Sequence, residues 1–241
     1  VIGPSGVGKT SFLRAGVMSS RPEGWAAVHA TPGSNPALAL AQALTAELAA
    51  DAESIRELLA GVAEFSRTGE AERVVNATKR WRSRHAEALL VVDQFEEVFT
   101  LNPSEVQEGF AKLLNRLASE ADVHIVLSVR DDFLIRCNDH ETLTPVFQNL
   151  TPLTSLGGED LRRALVEPAK KEGFSFENEG LVDEMLESVE GARGALPLLA
   201  FAVARLWEKR DRKKKLLTRK AYEEIGGVAG ALAQHAEQTL E

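Results

Sequence analysis

Eight residues near the start of the chain constrain its fold more than any other feature. Gly3 to Thr10 read Gly-Pro-Ser-Gly-Val-Gly-Lys-Thr, which is a glycine, four further residues and then Gly-Lys-Thr. Val1 and Ile2 are typical of the end of a strand, and Thr10 to Met18 has helical apolar spacing, so the segment predicts strand, loop and helix. In that context the motif indicates a phosphate-binding loop; the alternative is an ordinary glycine-rich turn.

The residue types of this loop suit the chemistry of nucleotide phosphates. Glycines let successive backbone N–H groups point at phosphate oxygens, and the following helix adds the positive end of its dipole. We expect the Lys9 ammonium to bridge the terminal phosphates and the Thr10 hydroxyl to bind Mg²⁺. The residues expected to bind nucleotide in this segment are Gly3, Pro4, Ser5, Gly6, Val7, Gly8, Lys9, Thr10 and Ser11.

An acidic motif follows a second predicted strand. Ala88 to Val92 is a continuous apolar run, typical of a strand covered on both faces of a parallel sheet, and Asp93 comes directly after it. We expect Asp93 beside the metal, the alternative being a helix cap at the strand end. Glu96 or Glu97 is expected to activate the water that attacks the γ-phosphate. Alternatively, both are solvated acids favoured by a helix dipole.

Arg130 follows another buried apolar run, Val123 to Val129. In a parallel sheet the ends of these strands meet at one edge, so Arg130 is expected near the phosphate loop, where it can contact the γ-phosphate. The alternative is an ion pair with Asp131 or Asp132. The five histidines show no spacing typical of metal ligands, so Mg²⁺ is the only metal that the sequence implies.

Strands alternate with helical patterns up to about residue 155. A strand is expected at Trp25 to Ala30, a helix from Pro36 through Ala50, and a last, weak strand near Phe147 to Leu153. This alternation predicts an α/β fold with a mostly parallel sheet sandwiched between helices. From about Gly157 the strand pattern disappears and only helical spacing continues, so a second, helical part is expected.

Composition excludes several classes of protein. The chain has 241 residues and a formal net charge of −8, which argues against a surface that grips nucleic acid or an anionic membrane. A single cysteine, Cys137, cannot form an internal disulfide, and no apolar run is long enough to span a bilayer. We therefore expect a cytoplasmic protein. Both ends of the sequence lie inside predicted elements, so we expect it to be part of a longer chain.

With these residues in place, the sequence resembles the STAND class of P-loop ATPases, related to NACHT and NB-ARC proteins. It is most similar to the bacterial novel STAND NTPase domain, often found upstream of WD-repeat regions. The resemblance covers essentially the whole chain. Its motifs are GPSGVGKTSFLRAG at 3–16, TPGSNP at 31–36, LLVVDQFEEVFT at 89–100, VLSVRDDFL at 126–134, LTPLTSLGGEDLRRALVEPA at 150–169, GALPLL at 194–199 and LTRKAYEEIGGVAGALAQHAE at 217–237.

The resemblance implies an ASCE-type core, in which an extra strand lies between the phosphate-loop strand and the Asp93 strand. It also implies three regions: a P-loop nucleotide-binding domain at 1–155, a helical lid domain at 156–216 and the start of a truncated winged-helix region at 217–241. Asp93 then matches the magnesium ligand, Glu97 the water-activating residue with Glu96 as second candidate, and Arg130 a sensor of the γ-phosphate.

Pro197 matches the proline of the family's Gly-x-Pro lid motif, which lies near the nucleotide base. Ala195 stands where related families carry the glycine, with Gly194 just before it. Alternatively, Pro197 is simply a proline at the first position of a helix.

The function implied by the resemblance is an ATP-dependent molecular switch. ADP holds a closed monomer, Mg-ATP opens it, and the open form oligomerises and signals to a repeat or effector region elsewhere in the chain. One alternative is an AAA+-like ATPase that turns over continuously on DNA or protein, and another is a scaffold that binds nucleotide without hydrolysis. A small-molecule phosphotransferase fits less well, because no acceptor site is legible in the sequence.

Overall fold

The computed structural model describes residues 1–48, 51–192 and 194–231. These residues form two compact units. The first contains Val1–Pro4 and Gly8–Leu153, and the second contains Ser5–Val7 together with the residues from Thr154 onward. No helix among the described residues is both long and apolar enough to cross a membrane.

The first unit is built on strands that pair only in the parallel sense. These strands are β1 (Ile2–Gly3), β2 (Trp25–Ala30), β3 (Glu87–Val92), β4 (His124–Leu127) and β5 (Val129–Arg130). β3 lies between β2 and β4, and β5 pairs with β1. The strands predicted from the apolar runs at 25–30 and 88–92 are thus confirmed, and β3 is buried from Ala88 to Val92 as its pattern indicated.

β4 and β5 are separated only by Ser128, whose backbone still forms hydrogen bonds with β3 and with the residues that follow it. The Ser128 N–H donates to Val92, and the Ser128 carbonyl accepts a bond from Phe95 N–H. The strand predicted at 123–129 is therefore present as two short strands interrupted at Ser128. The prediction that it is buried throughout was wrong, because His124 is exposed and Ile125 and Val126 are only half-buried. This interrupted strand lies between β1 and β3, which is the extra strand that the family resemblance implies.

The weak strand expected near 147–153 is present only as a short extension of the sheet. Ile2 N–H donates to the Thr151 carbonyl, and Leu153 N–H donates to the Ile2 carbonyl, so this segment lies on the free side of β1. Residues 141–148 instead form a 3₁₀-helix, which contains Pro145. Proline has no backbone N–H to give to a sheet, which is one reason why the strand does not start earlier.

Helices cover this sheet. They are α1 (Lys9–Ser11), continued by a π-helix (Phe12–Met18), then α2 (Pro36–Glu47), α3 (Ala52–Thr68), α4 (Glu72–Arg82), α5 (Glu96–Leu101), α6 (Ser104–Glu120) and α7 (Leu134–Asn138), with a short 3₁₀-helix at Asp131–Phe133. The helix predicted from Pro36 to Ala50 ends earlier, at Glu47, and its last two predicted residues lie outside the described part. Asn35 and Asp51 cap α2 and α3 by accepting backbone N–H bonds.

The second unit is mainly helical, with α8 (Gly158–Lys171), α9 (Glu179–Glu187), α10 (Ala195–Glu208) and α11 (Arg219–Glu224). It also contains two short strands that the sequence did not predict, β6 (Ser175–Phe176) and β7 (Leu216–Leu217), which pair in parallel. Two residues are too few to show an alternating pattern, so only the tertiary pairing reveals them. Of the region at 217–241, residues 232–241 lie outside the described part.

Candidate functional site

The phosphate loop has the backbone shape that its glycines predict. Gly6 and Gly8 have φ angles of 76° and 98°, in the left-handed region that side chains disfavour. Gly8 then begins α1, so Lys9 and Thr10 lie in its first turn. The Lys9 Nζ donates to the carbonyl oxygens of Gly3 at 2.7 Å and Pro4 at 3.0 Å. The loop therefore holds the ammonium against its own backbone.

Burial and neighbouring charges act in opposite directions on Lys9, which is only 9% exposed. Burial is the largest effect and lowers the pKa of Lys9 below its ordinary value. Glu96 opposes it most among the neighbouring charges, followed by Asp131, while Arg130 adds to the lowering and Asp93 opposes it. Three of the predicted site residues, Glu96, Arg130 and Asp93, thus lie close enough to Lys9 to act on its charge.

Asp93 is 1% exposed and lies at the end of β3, as predicted. Burial alone would raise the pKa of Asp93, but the polar groups around it outweigh burial and lower the pKa; these groups are the hydroxyls of Thr10 and Ser128, the Gln94 N–H and His29. Gln94 N–H donates to Oδ1 at 3.0 Å, and His29 Nε2 lies 3.4 Å from Oδ2. Asp93 is therefore ionised at neutral pH.

Ser128 completes the surroundings of Asp93 without a regular bond of its own. Its hydroxyl is fully buried and no partner meets it in good hydrogen-bond geometry, although it is near enough to lower the pKa of Asp93. Such an unsatisfied buried hydroxyl favours a site in which a further polar group takes part.

Thr10 and Asp93 fit Mg²⁺ as ligands. One hydroxyl and one ionised carboxylate, close enough for the hydroxyl to lower the pKa of the carboxyl group, are hard oxygen donors of the kind that Mg²⁺ prefers. Within residues 1–48, 51–192 and 194–231 there is no group of three or more His, Cys, Asp or Glu side chains that could hold a metal by itself. This suits Mg²⁺, which usually takes one or two protein carboxylates and completes its shell with phosphates and water.

The two adjacent acids of α5 have different partners. Glu96 Oε2 accepts a bond from Arg130 N–H at 3.3 Å, and Glu97 Oε2 accepts one from Gly33 N–H at 2.9 Å. Both bonds cross between segments far apart in sequence. Glu96 therefore faces the end of β5, and Glu97 faces the loop that follows β2.

Arg130 forms an ion pair with Asp132, which is one of the two pairings that the sequence analysis gave as the alternative. Its Nε and Nη2 donate to the two carboxylate oxygens of Asp132, at 3.1 and 2.6 Å. The guanidinium also lies over the Phe133 ring, 5.5 Å from its centroid. The pair is half-exposed, and an exposed ion pair of this kind contributes little energy, so it does not prevent Arg130 from turning to a phosphate.

Pro197 lies in the first turn of α10, at the third residue rather than at the first position of the helix. Gly194, at φ 85°, precedes the helix as its N-cap. Gly6 groups with the second unit, and a Cβ built on it would lie 2.7 Å from Pro197 Cγ. Gly6 therefore needs to be glycine both for its φ of 76° and for this approach.

Three residues at the site were not identified from the sequence: His29, Gly33 and Asn102. His29 lies beside β3 because the strand register pairs it with Val91. A lone histidine in the sequence does not reveal this pairing. Asn102 is buried, and its Nδ2 donates to the Gly33 carbonyl at 2.9 Å and the Glu97 carbonyl at 3.2 Å. The TPGSNP segment at 31–36 is the sequence feature that could have pointed to Gly33, because proline, glycine, serine and asparagine in succession are typical of a turn.

Comparisons with known proteins show the family of the chain and its fold. The family described as Novel STAND NTPase 1 matches residues 1–241. A Walker-type ATPase of Pyrococcus abyssi superposes with a TM-score of 0.61 at 12% identity, covering 99% of this chain and 69% of that one. At that identity the likeness shows the fold alone, which is that of a P-loop NTPase. The AAA domain of FIGL-1 in complex with ADP gives a TM-score of 0.41 at 12% identity, over 91% of this chain and 77% of that one. The search of curated proteins found no match.

Proposed function

Because this chain belongs to the Novel STAND NTPase 1 family, we propose that it binds ATP with Mg²⁺, hydrolyses it to ADP and phosphate, and acts as a nucleotide-dependent switch. The observation that carries the proposal is the buried, ionised Asp93, which lies near the Thr10 hydroxyl and next to a glycine-rich loop that holds the Lys9 ammonium. A carboxylate, a hydroxyl and an ammonium next to a glycine-rich loop are the groups that a Mg-nucleotide needs.

In this proposal the loop from Gly3 to Ser11 donates backbone N–H bonds to the phosphates, and Lys9 neutralises their charge. Thr10 and Asp93 hold Mg²⁺, which, when bound, offsets the negative charge on the phosphate oxygens. Arg130 exchanges Asp132 for the γ-phosphate. A carboxylate of α5 receives a proton from the attacking water, and Pro197 lies near the nucleotide base.

The switch itself is a further part of the proposal and derives from the family. We expect an ADP-bound closed monomer and an ATP-bound form that oligomerises and signals to an effector region, with 156–216 acting as the lid and 217–241 beginning a winged-helix region. A nearly complete change of state requires one state to bind the nucleotide about 10⁴-fold more tightly than the other. A cytoplasmic location fits the single cysteine, which suits a reducing compartment.

The test of nucleotide chemistry uses Thr10→Val with Thr10→Ser as its matched control. Valine keeps the shape of threonine but has no hydroxyl, whereas serine keeps the hydroxyl. We expect Thr10→Val to weaken ATP binding at least about tenfold in Mg²⁺, because a metal ligand is lost, and to change it little in EDTA. Thr10→Ser should stay within about threefold of the wild type in both conditions. Calorimetric titration and phosphate release measure these effects.

Equal weakening of Thr10→Val with and without Mg²⁺ would contradict the metal assignment. The switch is tested separately, by denaturing the purified protein and identifying the released nucleotide by chromatography. Near-stoichiometric ADP is expected for a resting switch. An empty site with rapid steady-state ATP turnover would instead support an AAA+-like motor, and tight ATP binding without any phosphate release would support a scaffold.

A further inference from the structure

Glu96 and Glu97 are neighbours at the start of α5, yet their carboxylates cannot both contact the same atoms of a ligand. Successive residues of a helix point about 100° apart, so two adjacent side chains face different surroundings. The contacts follow this rule, since one carboxylate meets the end of β5 and the other meets the loop after β2. The two acids therefore have separable roles.

The carboxylate of Glu97 is engaged in holding a loop. It accepts the Gly33 N–H at 2.9 Å, and Asn102, at the other end of α5, donates to the Gly33 carbonyl at 2.9 Å. The same Asn102 amide group donates to the Glu97 carbonyl at 3.2 Å. Both polar groups of Gly33 are thus held by α5 and the residue that ends it. This clamp, made of Glu97, Gly33 and Asn102, fixes the loop at the carboxyl end of β2.

The carboxylate of Glu96 lies at the strand end next to the phosphate loop instead. It accepts the N–H of Arg130 at 3.3 Å, and Arg130 pairs with Gly3, the last residue of β1. The Gly3 carbonyl also accepts the bond from the Lys9 Nζ at 2.7 Å. Through Arg130 and Gly3, Glu96 is therefore placed near the two cations, Lys9 and Arg130, that would meet a γ-phosphate.

We propose that Glu96 is the carboxylate that activates water, and that Glu97 is a positioning residue that holds the β2 loop through Gly33. This assignment reverses the one that the family resemblance implies, and it rests on the proposed ATPase function. In the reaction, the water oxygen forms a bond to the γ-phosphorus while Glu96 takes one water proton. The bond from the γ-phosphorus to the bridging oxygen breaks, its electrons stay with ADP, and the proton on Glu96 passes to solvent.

The test compares amide and alanine substitutions at both positions in the whole protein. Glu96→Gln keeps the shape but loses basicity, so kcat should fall at least about 100-fold while the affinity for ATP changes little. Glu97→Gln keeps an oxygen that can accept the Gly33 N–H, so it should retain kcat within about threefold. Glu97→Ala removes that oxygen and should lower kcat about tenfold or more. Glu105→Gln, on the exposed face of α6, is the control for loss of one charge.

A second readout does not depend on catalysis. The segment 31–36 contains two prolines, which have no N–H, so it has few exchangeable amides and the amide of Gly33 is a large part of its signal. We expect hydrogen–deuterium exchange there to become faster in Glu97→Ala and to stay near the wild-type rate in Glu97→Gln and Glu96→Gln. If Glu97 is a positioning residue, Glu97→Gln should keep both the kcat and the exchange rate near those of the wild type. If Glu97 were the base, Glu97→Gln should lose activity as Glu97→Ala does.

Some results would overturn the assignment. A 100-fold loss of kcat in Glu97→Gln together with a mild effect of Glu96→Gln would restore Glu97 as the base. A wild-type protein that releases no phosphate would overturn the ATPase proposal and the role of Glu96 with it. In that case the exchange of the 31–36 segment still decides the role of Glu97, because unchanged protection in Glu97→Ala would disprove the clamp.

Discussion

Buried ionisable side chains in the first unit are of two kinds. Asp93 is surrounded by hydrogen-bond donors that keep it charged inside the protein. Cys137 on α7 is equally buried, at 1% exposed, but it packs in the hydrophobic core, and burial raises the pKa of its thiol to about 11. Hydrogen-bond donors thus keep the Asp93 carboxylate charged, whereas apolar surroundings keep the Cys137 thiol neutral.

The raised pKa of Cys137 makes two predictions. At pH 8 the folded protein should react with a disulfide reagent on the order of 100-fold more slowly than the unfolded chain, whose thiol has a pKa of about 8.5. Since the folded pKa is raised, the thiol's contribution to stability is fully present below about pH 8.5 and is lost as the pH rises towards about 11. Absorbance assays of thiol release, and urea unfolding of the wild type against Cys137→Ala at pH 7 and pH 10, measure the two effects. Equal reactivity in the two states would contradict the first.

At the scale of elements, α3 and α4 approach each other closely at a glycine. Gly61 is buried in the middle of α3, and a Cβ built on it would lie 2.7 Å from Arg73 Cβ and 3.0 Å from Val74 N, both on α4. The neighbours are backbone and a Cβ rather than a flexible side-chain end, so they cannot move aside easily. Glycine at this position sets how closely α3 and α4 pack.

Two Gly→Ala substitutions should therefore have opposite effects. Gly61→Ala gains helix propensity but overpacks the contact, so we expect a net loss of about 1–3 kcal/mol in the free energy of unfolding. Gly109, inside α6, would place its Cβ 3.4 Å from the tip of the Phe65 ring, an ordinary contact. Gly109→Ala should thus gain up to about 1 kcal/mol. Urea denaturation measures both, and stabilisation by Gly61→Ala would show that α3 and α4 can separate at little cost.

The elements that the sequence predicted best are those with a local signal. The apolar run before Asp93 forms β3, and Gly6 and Gly8 adopt left-handed backbone conformations; both features depend only on neighbouring residues. The contact of His29 with Asp93 and that of Gly33 with Glu97 each join residues that are 64 positions apart. Such contacts depend on strand register, which no single segment specifies.

At the scale of the whole molecule, each unit has its own hydrophobic core. The core of the first unit contains Trp81, and that of the second unit has Trp207 packed against it; the two cores share no residue. Large proteins with more than one core often unfold in more than one step. Of the three tryptophans of the chain, Trp81 and Trp207 therefore report on different units.

We expect the two units to unfold at different urea concentrations. With fluorotryptophan incorporated, the ¹⁹F resonances of Trp81 and Trp207 should change in separate transitions, assigned by Trp→Phe substitution. Mg-nucleotide at about 100 times its Kd should stabilise the transition of Trp81 by about 2.7 kcal/mol, because ligand binds the folded state. Coincident transitions, with and without nucleotide, would instead indicate one cooperative unit.

The position of β1 in the sheet also determines when the nucleotide site can exist during synthesis. Ile2 pairs with Val129 on one side and with Pro152 on the other, so both of its strand partners are synthesised long after it. At a typical elongation rate of 5–20 residues per second, a ribosome needs about 8 to 30 s to travel from Ile2 to Pro152. During that time β1 lacks both of its strand neighbours, so we expect the nascent chain to bind nucleotide only after residue 152 has been made.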